Sequence, residues 1–180
     1  MKNREIIMAG MLALLSVVLE LTPIVWKTPW GMDIDLVGLP WLLSGVLFGL
    51  YAGLLTSAAA GFVIGLIAPS SFLGAGMKLA ATIPLVLGLA ALRKRLKKKK
   101  GRIPLFMLAG LLAVLIRTVA MIFMNYYIAL PLWLKQDPAT LFQEIPLWVI
   151  YVPNLIQSMI ELVLCYLLVF KTKLFRYYRA

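Results

Sequence analysis

The sequence predicts an all-α integral membrane protein of six transmembrane helices with both termini on the cytoplasmic side, and three observations carry that prediction. The chain of 180 residues is 63% hydrophobic and only 14% charged, and its mean hydropathy of +0.96 lies far above that of a soluble domain. Apolar stretches near the ~20 residues that a helix needs to cross a bilayer recur along it, and none alternates polar and apolar residues as a barrel strand would. The net charge of +11 is bunched: Lys2 and Arg4 precede the first apolar run, "RKRLKKKKGR" (93–102) holds eight basic residues, and Lys171, Lys173, Arg176 and Arg179 follow Phe170. In a soluble protein such clusters would point to nucleic acid. Beside membrane spans they read as cytoplasmic anchors under the positive-inside rule, with some attraction to the anionic lipid of the bilayer, and no nucleic-acid partner is expected.

Taken in order, the first segment (about 6–25) has the look of a secretory signal, but its apolar part is long and no small-x-small cleavage site follows, so it reads as a span. Residues 36–67 hold no charge at all. As one helix they would be ~48 Å long, too much for a ~30 Å hydrocarbon core. "GLYAG" (49–53) offers a break, which gives helices at 36–49 and 53–67. Spans at 72–92, 103–124 and 147–170 complete a single domain over 1–180. Charge parity supports the split, because an undivided 36–67 would place the 93–102 cluster outside. With the split, fourteen of the eighteen Lys and Arg residues lie inside. The outer side then receives the loop 26–35, the turn 68–76 and a long loop 125–146, with Asp33, Asp35, Asp137 and Glu144 among them. The expected location is the plasma membrane, crossed many times.

Composition also excludes chemistry. A single cysteine, Cys165, rules out an internal disulfide, and the absence of histidine removes the commonest general base and transition-metal ligand together. "GAGMK" does not match a phosphate-binding loop. "DID" (Asp33, Asp35) resembles a D-x-D metal motif only weakly. No metal or cofactor is expected, and no internal repeat of the kind many secondary transporters carry is visible.

Four ionisable residues fall at membrane depth, Glu20, Lys78, Arg117 and Glu161, where such groups mark function by default. Glu20 and Arg117 each lie about fourteen residues, or roughly 21 Å, from the cytoplasmic start of their helices. Matching depth predicts a structural Glu20–Arg117 ion pair between the first and fifth helices. Glu161 is expected lower, within reach of the inner interface or a partner subunit. Lys78 either snorkels to the headgroups or lines an outward-facing pocket. Asn125 ends the fifth helix, and Asn154 and Gln157, three apart in the sixth, share a face. An unpaired amide in hydrocarbon costs ~2–7 kcal/mol, so each needs a partner in the protein or in a ligand. With Lys78 and Asp35 these amides form the candidate substrate-binding set, edged by Tyr126, Tyr151 and Trp41. Aromatics at that height also serve as an interfacial belt. Such a pocket suits a flat small molecule with polar edges.

Small residues form a second pattern. Ala9 and Ala13, extended by Gly10, make A-x-x-x-A on the first helix; Gly45, Gly49 and Gly53 repeat every four residues, followed by Gly61 and Gly65. Such faces let helices approach closely. The Gly45 series reads as internal packing, and the first helix as a surface for another membrane protein.

The stretches "MDIDLVGLPWLLSGVLFGLYAGLL", "FLGAGMKLAATIPLVLGLAALRKRLKKKK", "MIFMNYYIALP" and "VIYVPNLIQSMIELVLCYLLVF", together with that A-x-x-x-A, resemble the substrate-binding S components of energy-coupling factor (ECF) vitamin transporters, most of all the riboflavin-binding member. The resemblance implies six helices, a vitamin bound from the outside, and docking through the first helix, Ala9 and Ala13 included, onto a transmembrane coupling subunit powered by two cytoplasmic ATPases. It makes Asn125 and Asn154 pocket amides and the first outer loop a lid. Where the riboflavin-binding relatives carry lysine, this chain has Gln157. An S component for another vitamin or precursor, such as a thiamin-related compound, stands beside this reading. A small intramembrane enzyme acting on lipid or isoprenoid substrates would call for clustered acids or a His/Cys nucleophile, so the chain is expected not to be an enzyme.

Overall fold

A computed structural model describes residues 2–22, 26–28, 33–96 and 102–172. The end of the first expected span (23–25), part of the first outer loop (29–32), most of the basic cluster (97–101) and the tail carrying Lys173, Arg176 and Arg179 lie outside the described residues.

The first helix, α1 (Asn3–Leu21), starts at a capping box, with the Glu5 carboxylate accepting from the Lys2 backbone at 3.0 Å. It ends at Thr22, whose hydroxyl donates to Leu19 O at 2.8 Å. Short antiparallel strands β1 (Trp26–Lys27) and β2 (Asp33–Ile34) pair Trp26 with Ile34 and Lys27 with Asp33. Next come α2 (Gly38–Phe48) and α3 (Leu50–Ile67). The expected break between them is narrower than "GLYAG": Gly49 alone interrupts the run, at φ +107° and ψ 176°, a conformation that side chains rarely adopt and glycine adopts freely. The helix resumes at once, because Gly53 N donates back to Gly49 O at 3.0 Å.

α4 (Ser71–Ala91) is followed by a turn of basic helix, α5 (Arg93–Leu96). There the Arg93 Nε donates to Leu47 O at 2.9 Å, which satisfies a carbonyl at the end of α2. α6 (Arg102–Met124) does not stop where the sequence suggested. It continues through a π-helical turn (Asn125–Ala129) into α7 (Leu130–Leu134), so that an apolar helix runs from Ile103 to Leu134. The wider turn sits just ahead of Pro131, which lacks the N–H for the ordinary ladder. The expected long loop therefore shrinks further: α8 (Pro138–Glu144) occupies part of it, and α9 (Trp148–Tyr166) follows, ending in a second π-helical turn (Leu167–Lys171).

Among the described residues four helices are long and apolar enough to cross a membrane: Leu50–Ile67, Ser71–Ala91, Ile103–Leu134 and Trp148–Lys171. α1 has 19 residues but carries Arg4, Glu5 and Glu20. α2 has only 11 residues, and every one of them is buried.

α2 forms the centre of the bundle. Trp41, Leu42 and Val46 are fully enclosed there with Leu85, Val86 and Leu89 of α4 and Leu162 of α9. The Gly45 series packs internally, as its spacing suggested. A methyl group on Gly53 would stand 2.8 Å from Gly45 Cα and 2.7 Å from Val86, so α2 and α3 cross where only hydrogen fits. The first helix departs from expectation. Ala9, Ala13 and Ser16 are buried, and the Thr56 hydroxyl of α3 lies 3.2 Å from Ala9 O. This small-residue stripe is consumed inside the chain, where close approach allows a side-chain contact to the helix backbone. Of the partner-docking residues expected on α1, only Gly10 is exposed, with nothing packed against it.

Candidate ligand-binding cavity

At the end of the bundle where α1 and α6 finish and α4 and α9 begin, the helices enclose a cavity of about 620 Å³. α6 lines it with Arg117 and Met121 and the π-helical turn with Asn125, spaced four apart on one face. α4 supplies Met77, Lys78, Ala81 and Thr82; α9 supplies Val149, Ile150, Asn154 and Gln157; Glu20 comes from α1, and Asp33 and Asp35 from β2 and the residue that follows it. Leu130, Trp133 and Ile145 add apolar wall from α7 and the turn after α8.

The amides singled out by the sequence meet here. Asn125 Nδ2 donates to Met121 O at 2.7 Å and Asn154 Nδ2 to Ile150 O at 2.9 Å, so each side chain is braced against its own preceding turn. Gln157 Nε2 lies 3.4 Å from both Asp35 O and Asp35 Oδ1. Asn154 is fully buried and Gln157 nearly so.

The ion pairs differ from the expected one. Glu20 does not meet Arg117. Its carboxylate pairs with Lys78 Nζ at 2.7 Å, and the same ammonium also pairs with Asp35 Oδ2. Arg117 Nη1 instead meets Glu161 Oε2 at 2.7 Å. Counting residues along a helix gives height but not rotation, and rotation turns Arg117 toward α9. Glu161 continues the buried stripe of Asn154, Gln157 and Ser158 down α9, so it is sealed in the bundle and does not face the inner interface. Asp35 also accepts from Val37 N at 3.0 Å through Oδ1, which fixes the start of α2.

The cavity is electronegative in a cationic chain. Glu20, Asp33, Asp35 and Glu144 line it against Lys78 and Arg117, although the chain has only seven acidic residues and eighteen basic ones. Among the described residues no group of three or more His, Cys, Asp or Glu side chains could hold a metal ion. Outside the membrane-spanning segments, Asp137 caps α8. The Thr140 hydroxyl at 2.7 Å, with the backbone N–H groups of Thr140 at 3.1 Å and Ala139 at 2.9 Å, holds its carboxyl below the ordinary carboxylate value.

The aromatic edge is not the expected one. Trp41 is fully buried in the core; Tyr126 stacks on Phe142 with ring centroids 4.0 Å apart and donates its hydroxyl to Ile145 O; Tyr151 is half-exposed. None of the three lines the cavity, whereas Trp133 does. Trp133 fell in the expected outer loop 125–146 and was legible only if the apolar run were carried on beyond Asn125. Glu20, Arg117, Met121 and Thr82 also line the cavity and were not expected to; the four-residue spacing of Arg117, Met121 and Asn125 was the available signal.

This is a helical membrane protein with a cavity of mixed polar and apolar lining at one end of its bundle. The model of the ECF transporter substrate-specific component family matches residues 4–170, and the chain belongs to that family. The solved S component of a bacterial ECF transporter shares its fold, with a TM-score of 0.73 at 20% identity over 96% of this chain and 97% of that one. No curated protein sequence matches. Members of this family are transport proteins and not enzymes; the family implies a small-molecule substrate and association with ECF coupling and ATPase subunits.

Proposed function

We propose that the chain is the vitamin-binding S component of an ECF-type importer and that its cavity takes riboflavin or a related flavin. The observation that supports this is the meeting of Asn125, Asn154 and Gln157 in one cavity beside an apolar wall of Met77, Met121, Leu130, Trp133 and Ile150. A flavin has the matching outline: a flat tricycle, one edge that alternates carbonyls with an N–H, and a polyol tail. The tricycle would lie among the methionines and Trp133 while the edge exchanges hydrogen bonds with the amides. A volume of about 620 Å³ sits within the ~300–1,000 Å³ usual for small-molecule sites. Amides fixed in an apolar wall discriminate strongly, because a ligand that leaves them unpaired forfeits the cost of their burial.

In the membrane, α1 and α2 join the four long apolar helices to give six spans. The positive-inside rule then places the termini and the 93–102 cluster in the cytoplasm and the cavity toward the outside. The chain lacks a phosphate-binding loop, so ATP hydrolysis falls to two ATPase partners acting through the coupling subunit. The open face of α1 around Gly10 is the part of its small-residue pattern available for docking.

A thiamin-related ligand is the second reading, and the observation that favours it is the excess of carboxylates over cations around the cavity. One titration separates the two. Detergent-purified protein is examined for bound flavin by absorption and fluorescence, then titrated with riboflavin and with thiamin. Saturable quenching of flavin emission supports the first reading; thiamin binding with indifference to riboflavin overturns it in favour of the second. In the flavin case N125A and N154A should each weaken binding about 10–100-fold and leave the thermal transition in place.

A further inference from the structure

Arg117, Met121 and Asn125 step along the cavity wall four residues at a time, but the next residues of the helix to line it are Leu130, five further on, and then Trp133 and Leu134. We propose that the π-helical turn Asn125–Ala129 is a positioning element of the binding site. By taking up one extra residue it resets the phase of the helix, so that α7 and its Trp133 join the wall that α6 begins. The inference rests on the cavity being the binding site but not on which ligand it takes.

Three observations carry it. The first is angular. At about 100° per residue, a plain α-helix would follow Asn125 with Ile128 and Leu132 on the same face. Neither lines the cavity, and both are exposed, at 41% and 62%. The Leu130 N–H instead reaches back five residues to Asn125 O, and beyond it Trp133 stands on the face that Leu132 would have held. A wide turn of this kind amounts to one residue inserted in an α-helix, and such turns recur at functional sites. Second, the two residues that open the turn serve different neighbours. Asn125 lines the cavity, its Nδ2 donating to Met121 O at 2.7 Å. Tyr126, fully buried, stacks on Phe142 and donates its hydroxyl to Ile145 O. Third, the far end of the turn is held from both sides. Ala129 packs with Met121 against Met77 and Ala81 of α4, and Leu130 packs on the cluster of Tyr126, Leu141 and Ile150. α7 therefore leaves the turn in a set direction. Pro131, which has no N–H to offer Tyr127 O in an α-helical ladder, agrees with a wide turn at this place.

A bimane label on S70C reports this phase without any ligand, because bimane emission is quenched when a tryptophan comes close. Ser70 lines the same cavity just before α4. Cys165 is fully buried, so label found on it marks unfolding. In the full-length, detergent-purified protein, W133L should lose most of the quenching. W133L/L134W should regain it and W133L/L132W should not. Deletion of Ile128 removes the extra residue, so the segment can close as plain α-helix with Trp133 still on the wall, and quenching should persist. Undiminished quenching in W133L, recovery by L132W, or loss of quenching in the deletion with Cys165 unlabelled would each overturn the proposal. Should the deletion expose Cys165, the tryptophan substitutions decide alone. Indifference to riboflavin would leave these measurements standing, so the two readings fail separately.

Discussion

Arg117–Glu161 and Glu20–Lys78–Asp35 use the same few functional groups at the same end of the bundle, yet they do different work. The first pair is sealed, with side chains 1% and 0% exposed, and touches through one nitrogen and one oxygen only. Arg117 Nε and Glu161 Oε1 have no hydrogen-bond partner among the described residues. The second group is open at its rim, shares one cation between two carboxylates and reaches two further groups, Val37 N and the Gln157 amide, through Asp35. A charge that has lost all contact with water can only be held or lost, which makes the first pair a fastening between α6 and α9. A charge at a cavity's edge can exchange partners, which makes the second adjustable. Within a membrane bundle, burial more than residue type separates these roles.

That distinction sets an order of effects. R117M should be the most damaging change, because breaking a buried pair by removing one partner leaves an uncompensated charge and costs about 3–5 kcal/mol. Thermal unfolding of the detergent-purified protein would show it, and R117M/E161L should recover much of the loss. A mild R117M would break the ranking. D35N should cost about 1.5–3 kcal/mol, the range for a hydrogen bond to a charged group, and E20Q about 1 kcal/mol or less, since its carboxylate sits nearer solvent. Raising salt from 0.1 to 1 M shortens the screening length from ~10 to ~3 Å. It should therefore narrow the gap between wild type and E20Q, whose carboxylate is the more exposed of the two, while leaving that of R117M unchanged.

The smallest effect belongs to Asp137, the fully exposed end of the series. Its carboxyl is held below the ordinary value by Thr140 and Ala139, so capping of α8 is complete above the ordinary carboxylate range and is lost as pH falls through the lowered value. Protection of the Ala139 and Thr140 amides, taken relative to their intrinsic exchange rates, should fall over that acid interval and hold steady near neutrality. D137N should abolish this pH dependence of the protection.

How far these roles were visible in the sequence depends on the kind of information each needs. Apolar length and Lys/Arg placement specify elements one helix at a time, so each apolar run can be marked out without knowing its neighbours. Asn125, Asn154 and Gln157 were legible because an amide in hydrocarbon always demands a partner. The ion pairs were not, because a partner across the bundle depends on helix rotation, which residue counting leaves open. Asn125 looked like a helix end because polar residues begin there; a π-helical turn carries the helix past it, and Trp133 with it. Ala9 and Ala13 form a face that suits any close neighbour, and spacing cannot say whether that neighbour is α3 or another protein.

The 11 residues of α2 are buried on every side and extend only ~16 Å at helical rise, about half a bilayer core. A helix so short and so enclosed owes its place to its neighbours: it turns back on α3 at Gly49 and is covered by α4 and α9. A side chain at Gly49 would therefore disturb the seat of the whole central helix, at a distance from any ligand.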